Sequence, residues 1–487
     1  MSAGIPSAAR TSGCCGPDCA GIRFLSRHPV ALRAFTWLCR SAMADWAVGL
    51  WAWATVRRHR RRVIDYRALV DRAACVIPQP ADASAQDSGC EFLSGLMQRS
   101  HMPGKVARFL QGLEGLDPHV RAGLLKTWFH TAVLNTTIRA AHVRHNRDQG
   151  AERVLPLDAM VAAFGRCNLV CRGCYARPEL GPDGASPSRL AYVVDQLQRM
   201  HVYHVLLIGK GEPFHDEHSR QCLFDVVRRH PQLFFSVYSN GTTIGPSDIR
   251  RLQRLPNLIV LLSLDGPEEI NDRRRGVGVF RQVTDAFRRM HAAGLLFGFI
   301  STVFAENYDA VLDPQFVGQL ADFGCRVGYY SLFVTPDDAA DCRGMMLSPT
   351  QREAYFRRFW KLDAQAPIPL IDIDGVEAHF GCRAKRGATV YVDAISGRVS
   401  PCIRAPLACA GGSLYVDCQP VCCNSAPIPA RCGSTTLAAA QPLCDPASRN
   451  RLSEILESEP FRQYRADRHG LEVCEAFSRA EGSRVES

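Results

Sequence analysis

The stretch Leu157-Asp-Ala-Met-Val-Ala-Ala-Phe-Gly-Arg-Cys-Asn-Leu-Val-Cys-Arg-Gly-Cys-Tyr175 decides how this chain of 487 residues folds. Its first half is an apolar run typical of a buried strand. Its second half carries Cys167, Cys171 and Cys174 in a C-x3-C-x2-C spacing. Three thiolates from one short loop can hold three irons of a four-iron cluster, which ordinarily takes four cysteines. The fourth iron is then open to a ligand. A zinc loop or a chance spacing is the alternative, although zinc sites more often pair two C-x2-C units.

Short apolar runs alternate with amphipathic segments through the middle of the chain, which indicates βαβ units and a parallel sheet. The predicted strands are Leu157–Phe164, His204–Ile208, Leu233–Tyr238, Leu258–Leu264, Leu295–Phe304 and Arg326–Val334. The predicted helices are Pro187–Met200, behind Ser186 as N-cap, Asp216–Arg229, Asp248–Leu255, Phe280–Ala293 and Pro314–Phe323. Six units are too few for a closed eight-fold barrel. We therefore predict an α/β fold with an open, partial (β/α)6 barrel, and ligands at the carboxyl ends of its strands.

The segment Cys-Asn-Leu-Val-Cys-Arg-Gly-Cys-Tyr175 resembles the cluster-binding loop of the radical S-adenosylmethionine (radical SAM) superfamily. The resemblance implies a TIM-like partial barrel whose cysteine loop follows the first strand. It also implies a [4Fe–4S] cluster held by Cys167, Cys171 and Cys174, with S-adenosylmethionine (SAM) chelated at the open iron. In that superfamily an electron from the cluster cleaves SAM to methionine and a 5′-deoxyadenosyl radical, which removes hydrogen from a substrate.

Later strands end in further motifs of the same superfamily. Gly209-Lys-Gly-Glu-Pro213 resembles its G-G-E-P motif, with Lys210 in place of the usual glycine. Tyr238–Thr242 and Ser263–Gly266 resemble its next two SAM-binding segments, and Asp272–Gly276 resembles a D-x-x-R-G segment. Asn-Gly and Asp-Gly are also common turn pairs, so these motifs gain weight from recurring at successive strand ends. The resemblance implies a SAM site formed by Tyr175, Gly211, Glu212, Pro213, Ser239, Asn240, Ser263, Asp265 and Arg274, with Asn307 as a further candidate.

A second set of cysteines lies in the C-terminal part of the chain. Cys382 and Cys402 flank a predicted β-hairpin, and their C-x14-G-x4-C pattern, with Gly397 at the turn, resembles the opening of the SPASM/twitch auxiliary-cluster motif. The resemblance implies an auxiliary iron–sulfur cluster on Cys382, Cys402 and Cys474. The full SPASM string is absent, so the fourth ligand stays open. The cysteines between are Cys409, Cys418, Cys422, Cys423, Cys432 and Cys444, and a flexible insertion with incidental thiols explains them equally well. Cys222 and Cys325 fall on apolar positions and are expected in the core.

The N-terminal region combines tryptophans with a basic cluster. Ser41–Val56 is apolar apart from Asp45 and precedes Arg57-Arg-His-Arg-Arg-Arg62. It is too short for a confident transmembrane helix. Two interpretations stay open: a helix packed on the barrel with a solvated basic end, or a helix lying on an anionic membrane. Residues 103–145 look helical and are expected to cap the barrel or to form a substrate entrance.

Length and composition place these segments in a globular chain of several domains. We expect an N-terminal extension over 1–150, partly disordered and then helical, and the barrel over 151–340. A linker helix region over 341–380, a small cysteine-rich auxiliary-cluster domain over 381–475 and a flexible tail over 476–487 complete the division. The formal charge is +10, but no nucleic-acid-binding signature accompanies it, so no nucleic acid is expected. Cluster thiolates must stay reduced, which favours the cytoplasm.

The resemblance implies a radical SAM enzyme that receives electrons from a reductant such as ferredoxin or flavodoxin. SPASM-like relatives often modify peptides, so a peptide substrate is preferred. A small-molecule or lipid-linked substrate stays open, and the Trp/Arg segment favours the lipid-linked option. No general acid or base can be assigned. The rival is a non-catalytic iron–sulfur or zinc-binding protein on a degenerate barrel, which Lys210 alone favours.

Overall fold

A parallel β-sheet forms the centre of the computed structural model. The structure describes residues 20–58, 105, 108–109, 111–150, 155–177, 180–181, 184–334, 340–375, 382–403, 452, 456–457 and 461–462. Its strands are β1 Asp158–Ala162, β2 His204–Leu207, β3 Phe234–Ser239, β4 Leu258–Ser263, β5 Phe297–Val303, β6 Gly328–Leu332, β7 Leu370–Asp372, β8 Thr389–Asp393 and β9 Val399–Ser400. They follow the order β7-β6-β5-β4-β3-β2-β1-β8-β9, and all neighbours are parallel except β8 and β9.

Helices connect the parallel strands and cover the sheet. They span Pro187–Arg199, Glu217–Arg229, Pro246–Leu252, Glu268–Arg275, Val279–Ala292, Tyr308–Val311, Pro314–Asp322 and Pro349–Gln365, with a 3-10 segment at Ala340–Met345. Ser186 caps the first of them as predicted, since its hydroxyl accepts a hydrogen bond from the Arg189 N–H. One apolar core lies between strands and helices and includes Cys222 and Cys325, both buried as expected.

The six predicted strands and the partial barrel are confirmed. The predicted helix start at Asp248 is late, because Asp248 accepts a hydrogen bond from the Gly245 N–H and so belongs to the first turn of a helix that begins at Pro246. The predicted hairpin forms as β8 and β9, with Gly397 at a φ of 78°. Its first strand pairs in parallel with β1, from Asp158 opposite Thr389 to Ala162 opposite Asp393. The barrel sheet therefore extends to the hairpin. The proposed domain boundaries stay a prediction.

The described N-terminal part is helical, with helices Ala20–Arg27, Pro29–Cys39, Ala42–Arg58, Pro118–Trp128 and Thr136–Asp148, a 3-10 turn at Leu113–Gly115 and a π-helical segment at Phe129–Asn135. The first two helices pack on Thr136–Asp148, and the third packs on Pro118–Trp128. No described helix is long and apolar enough to cross a bilayer.

This N-terminal layer lies across the amino ends of the strands. The Asp117 N–H donates to the Gly294 carbonyl just before β5 at 3.1 Å. Asn135 donates to the Val202 carbonyl before β2 at 3.0 Å, and Arg139 donates to the Pro156 carbonyl before β1 at 3.0 Å. The layer thus covers the end of the barrel opposite to the strand carboxyl ends. Of the two roles expected for residues 103–145, the contacts support capping.

Candidate active site

The cysteine loop begins where β1 ends. Cys167, Cys171 and Cys174 are partly buried free thiols, and the Cys174 N–H donates to the Cys171 carbonyl at 3.3 Å. Gly173 has a φ of 66°, and a Cβ there would lie 2.7 Å from the Phe333 ring. The turn that brings Cys171 and Cys174 together therefore requires glycine.

The loop has the donor chemistry that a cluster needs. Burial raises the pKa of the Cys167 thiol, and the neighbouring Cys171 and Cys174 raise it further. Burial also raises the pKa of Cys171, while Arg275 and Arg274 lower it. Bound iron would displace these thiol protons. Among the described residues, no three His, Cys, Asp or Glu side chains are close enough to hold a single metal ion. A cubane binds each cysteine at a different iron, so it needs a wider spread of thiolates.

The loop after β2 lies directly against the start of the cysteine loop. The Gly211 N–H donates to the Phe164 carbonyl at 2.7 Å, and the Glu212 N–H donates to the Arg166 carbonyl at 2.6 Å. A Cβ on Gly211 would lie 2.3 Å from the Arg166 oxygen, so only glycine fits. Gly211, the motif glycine that this chain retains, is thus the one that the close approach requires.

Glu212 joins the ends of β2 and β3. It is 3% exposed, and its Oε1 accepts hydrogen bonds from the Ser239 hydroxyl at 2.6 Å and the Phe214 N–H at 3.0 Å. Its Oε2 accepts one from the Asn240 N–H at 2.7 Å. Burial raises the pKa of this carboxyl, and the three hydrogen bonds only partly offset that effect. Glu212 therefore fixes the Ser239-Asn240 segment beside the cysteine loop.

Asn240 extends this network to the first cysteine. Its side-chain amide donates to the Asn168 oxygen at 2.9 Å and contacts the Cys167 sulfur at 3.8 Å. Asn168 in turn donates to the Thr242 hydroxyl at 2.8 Å. Asn168 and Thr242 were missed as site residues, although Asn168 directly follows Cys167 in the sequence. The motifs after β1, β2 and β3 thus form one hydrogen-bonded unit.

The fourth motif centres on Asp265, which is fully buried just after β4. Its carboxylate binds both Arg274 and Arg275 and accepts the Thr302 N–H at 2.9 Å. Burial alone would raise the pKa of Asp265, but the two arginines overcome it and lower the pKa. Asn307 donates to the Asp265 carbonyl at 2.8 Å, which links β4 to the end of β5.

Arg274 stands between this carboxylate and the cysteine loop. Its guanidinium lies 5.7 Å from the Phe304 ring centre and 5.9 Å from that of Phe333, and its carbonyl accepts the Arg172 N–H at 2.9 Å. The Arg274 Nε is buried without a hydrogen-bond partner among the described residues. An anion at this place would satisfy it, and the expected contact with the SAM carboxylate stays a prediction. Arg275, which the sequence reading missed, holds Asp265 just as closely.

Lys210, the departure from the motif, points toward the hairpin. Its ammonium binds Asp393 at the end of β8 at 2.7 Å, and both side chains are largely buried. On the other side of the motif, a Cβ on Gly209 would lie 3.7 Å from the Tyr175 hydroxyl and 3.9 Å from Ile403. Ile403, the residue after Cys402, therefore borders the Gly209–Pro213 motif.

The second cysteine set is described only in part. Cys382 is buried and Cys402 is partly buried. Arg383 is partly buried near Cys402, and desolvation lowers its pKa to about 10. It pairs with Asp158, which also accepts the Thr389 hydroxyl at 2.6 Å. Cys474 and the cysteines from 409 to 444 lie outside the described residues, so an auxiliary cluster stays a prediction.

The parallel strands form a partial barrel. A three-cysteine loop follows the first strand, and networks of polar side chains follow the next three strands. This is the architecture of a radical SAM domain. Residues 161–313 match the family model of the radical SAM superfamily, and the domain that they form belongs to it. That superfamily implies a [4Fe–4S] cluster and SAM as cofactors, and the donor set around Cys167, Glu212 and Asp265 fits them.

Curated relatives of two kinds match about a third of the chain. Mycofactocin maturase MftC of Mycobacterium ulcerans (strain Agy99) is 32% identical over 166 residues, which are 34% of this chain and 42% of that protein. Sporulation killing factor maturation protein SkfB of Bacillus subtilis (strain 168) is 27% identical over 175 residues, 36% of this chain and 42% of that protein. The chain thus spans about two fifths of the length of these relatives. Among solved structures, Streptococcus suis SuiB bound to precursor peptide SuiA matches with a TM-score of 0.42 at 15% identity, over 55% of this chain and 65% of that one.

Proposed function

We propose that this chain is a radical SAM enzyme that abstracts hydrogen from its substrate. The observation that carries the proposal is the single hydrogen-bonded unit that Glu212 and Asn240 make with the cysteine loop. Three separate sequence motifs meet there at one edge of the sheet, which is where ligands bind in such folds.

The chain's own residues would bind the cluster, orient SAM and shield the site from water. Cys167, Cys171 and Cys174 would hold the cluster, and the strand-end residues Tyr175, Gly211, Glu212, Pro213, Ser239, Asn240, Ser263 and Asp265 would line the SAM site. When bound, the reduced cluster supplies the electron that cleaves the SAM sulfonium. Phe304, Phe333, Cys342 and Met345 form a buried apolar cluster beside Gly173 and Arg274, which would keep water from that side of the loop.

The preferred substrate is a peptide. The relatives are named for the maturation of mycofactocin and of sporulation killing factor, and maturation suits the modification of a precursor. We extend that chemistry to this chain as part of the proposal. A ferredoxin or flavodoxin would deliver electrons, and the cytoplasm would keep the thiols reduced. An auxiliary cluster on Cys382 and Cys402, next to Ile403 and the SAM motif, would suit electron exchange with the substrate.

The non-catalytic alternative has lost its one argument. Lys210 occupies the place of a motif glycine, but its ammonium binds Asp393, away from the contacts that Gly211 and Glu212 make with the cysteine loop. The substitution therefore leaves the geometry of the motif in place.

Anaerobic reconstitution followed by dithionite and SAM tests the proposal. We expect 5′-deoxyadenosine from the wild type, none from Cys171→Ala, and unchanged amounts from Cys222→Ala, a buried thiol outside the loop. About four irons per chain would mean one cubane and about eight would mean two. A wild type that carries its full cluster and leaves SAM intact would overturn the proposal.

A further inference from the structure

The N-terminal helices expose several large apolar side chains. On the helix Ala42–Arg58, Met43 is 76% exposed, Trp46 70%, Leu50 49% and Trp53 51%; Trp37, on the preceding helix, is 73% exposed. We call these five residues the tryptophan surface. Side chains of this size are seldom left exposed together on a soluble domain, and such patches mark interaction sites.

The spacing puts this surface on the outer face of the helix. Met43, Trp46, Leu50 and Trp53 follow one another at intervals of three, four and three residues, which is one stripe of an α-helix. The opposite face carries Val48 and Ala52, both buried, against the helix Pro118–Trp128.

The helix is therefore apolar on both faces, whereas a helix on the surface of a soluble domain has a polar outer face. Its inner face already fastens it to the rest of the molecule. The Asp45 carboxylate binds the Lys126 ammonium at 2.6 Å, and the Trp51 ring lies 5.1 Å from that of Phe129. Packing on the helix Pro118–Trp128 thus accounts for the inner face, while the large apolar side chains of the outer face stay exposed.

Charge identifies the kind of partner. Residues 20–62 contain nine arginines and one acidic residue, Asp45, and so carry most of the formal charge of +10 of the whole chain. Asp45 lies on the inner face, where it is paired with Lys126. The same segment holds four of the six tryptophans of the chain. Tryptophan favours the headgroup level of a bilayer, and arginine clusters bind anionic lipids.

We propose that the tryptophan surface docks on an anionic lipid bilayer, with the helix Ala42–Arg58 lying in the plane of the interface. Apolar side chains would enter the headgroup region while the arginines bind lipid phosphates. A second copy of the chain fits this surface less well, because two such basic segments would repel each other. This inference goes beyond the proposed enzyme activity and does not rest on it.

Vesicle flotation of the anaerobically purified full chain tests the proposal. We expect binding to vesicles of phosphatidylglycerol and phosphatidylcholine, and little binding to phosphatidylcholine alone. The double variant Trp37→Ser/Trp46→Ser should lower the partition coefficient at least tenfold, whereas Trp37→Phe/Trp46→Phe should largely retain it. Raising the salt to about 0.5 M should weaken binding severalfold, because screening shortens the reach of the arginines.

Val277→Ser is the matched control, since Val277 is 97% exposed but lies outside the tryptophan surface. It should bind vesicles like the wild type, and circular dichroism should show every variant folded. The proposal fails if the wild type does not float with anionic vesicles, or if the Trp37→Ser/Trp46→Ser variant floats as well as the wild type. If the wild type is a dimer that does not bind vesicles, and the Trp37→Ser/Trp46→Ser variant is a monomer, the surface belongs to a second copy and the lipid proposal is overturned.

Discussion

Glu212 shows how one buried carboxylate organises a site made from distant segments. Both of its oxygens are engaged, by donors from Phe214, Ser239 and Asn240. Since the Ser239 hydroxyl also accepts the Gly241 N–H, its own hydrogen is directed at Glu212. The side chain therefore meets donors only, and an acceptor at each oxygen position is required.

Glu212→Gln tests this requirement. The amide nitrogen of glutamine must face one of those N–H or O–H donors, so we expect a loss of about 1–3 kcal/mol in the free energy of unfolding. SAM binding to the reconstituted protein should weaken as well, because Asn240 loses its anchor beside Cys167. Urea unfolding and equilibrium dialysis measure the two effects. Glu217→Gln is the control: the Glu217 side chain is 72% exposed, and its loss should change little. Equal stability of the two variants would contradict the prediction.

Among the elements, the β8–β9 hairpin contributes to the site in a way that the sequence did not predict. β8 lies beside β1, so the end of the hairpin strand reaches the loops that follow β1 and β2. Asp393 receives the Lys210 ammonium at 2.7 Å, and it also accepts the Ser396 hydroxyl at 2.6 Å. The Gly209–Pro213 motif and the hairpin turn thus share one carboxylate.

A double-mutant cycle on Lys210→Met and Asp393→Asn tests this connection. Removing one partner of a buried pair leaves the other charge uncompensated, so each single change should cost roughly 3 kcal/mol. The double change should cost clearly less than the sum of the two, as measured by urea unfolding. Hydrogen exchange in residues 389–403 should rise in Lys210→Met. Arg281→Met breaks an exposed pair with Glu268 and should have almost no effect. Strictly additive single changes would show that the pair is not coupled.

At the scale of the whole molecule, two stacked histidines, His142 and the buried His201, hold the N-terminal layer against the barrel. The His142 and His201 rings stack at 4.5 Å, and Arg40 donates to His201 Nδ1 at 2.9 Å. Because arginine can only donate, Nδ1 must be unprotonated. Burial, followed by Arg40, lowers the pKa of His201 to about 2 and that of His142 to about 4.

These shifts predict that acid loosens the layer. Both folded-state pKa values lie below the ordinary value of 6.5. The two neutral histidines therefore contribute fully to the free energy of unfolding above about pH 6.5. That contribution is lost as the pH falls, by roughly 2–4 kcal/mol at pH 5. Hydrogen exchange in residues 20–58 and 118–148 should rise between pH 7.5 and 5 more than in the strands. His142→Gln/His201→Asn should flatten this response, and asparagine suits the positive φ of 60° at position 201. An unchanged acid response in that variant would contradict the assignment.

Local signals predicted much of this molecule. The six barrel strands, the Ser186 cap and the position of the cysteine loop follow from periodicity, turn residues and spacing within a few residues. Pairing between distant segments left no such signal. Nothing near Thr389 indicates that its strand joins β1, and nothing near Lys210 indicates Asp393 as its partner. Arg275 was missed beside Arg274 because the two are adjacent in sequence, and only the direction of their helix brings both to Asp265.

The layer across the amino ends of the strands also affects how ligands can enter and leave the site. Asp117, Asn135 and Arg139 are hydrogen-bonded to the segments that precede β5, β2 and β1, so the described N-terminal helices lie over the amino ends of these strands. Ligands of the site at the strand carboxyl ends would then enter and leave on that side of the sheet. On the proposed activity, methionine and 5′-deoxyadenosine would leave on the same side as the substrate, either past it or after its product. The order of release becomes a property of the architecture as much as of the affinities.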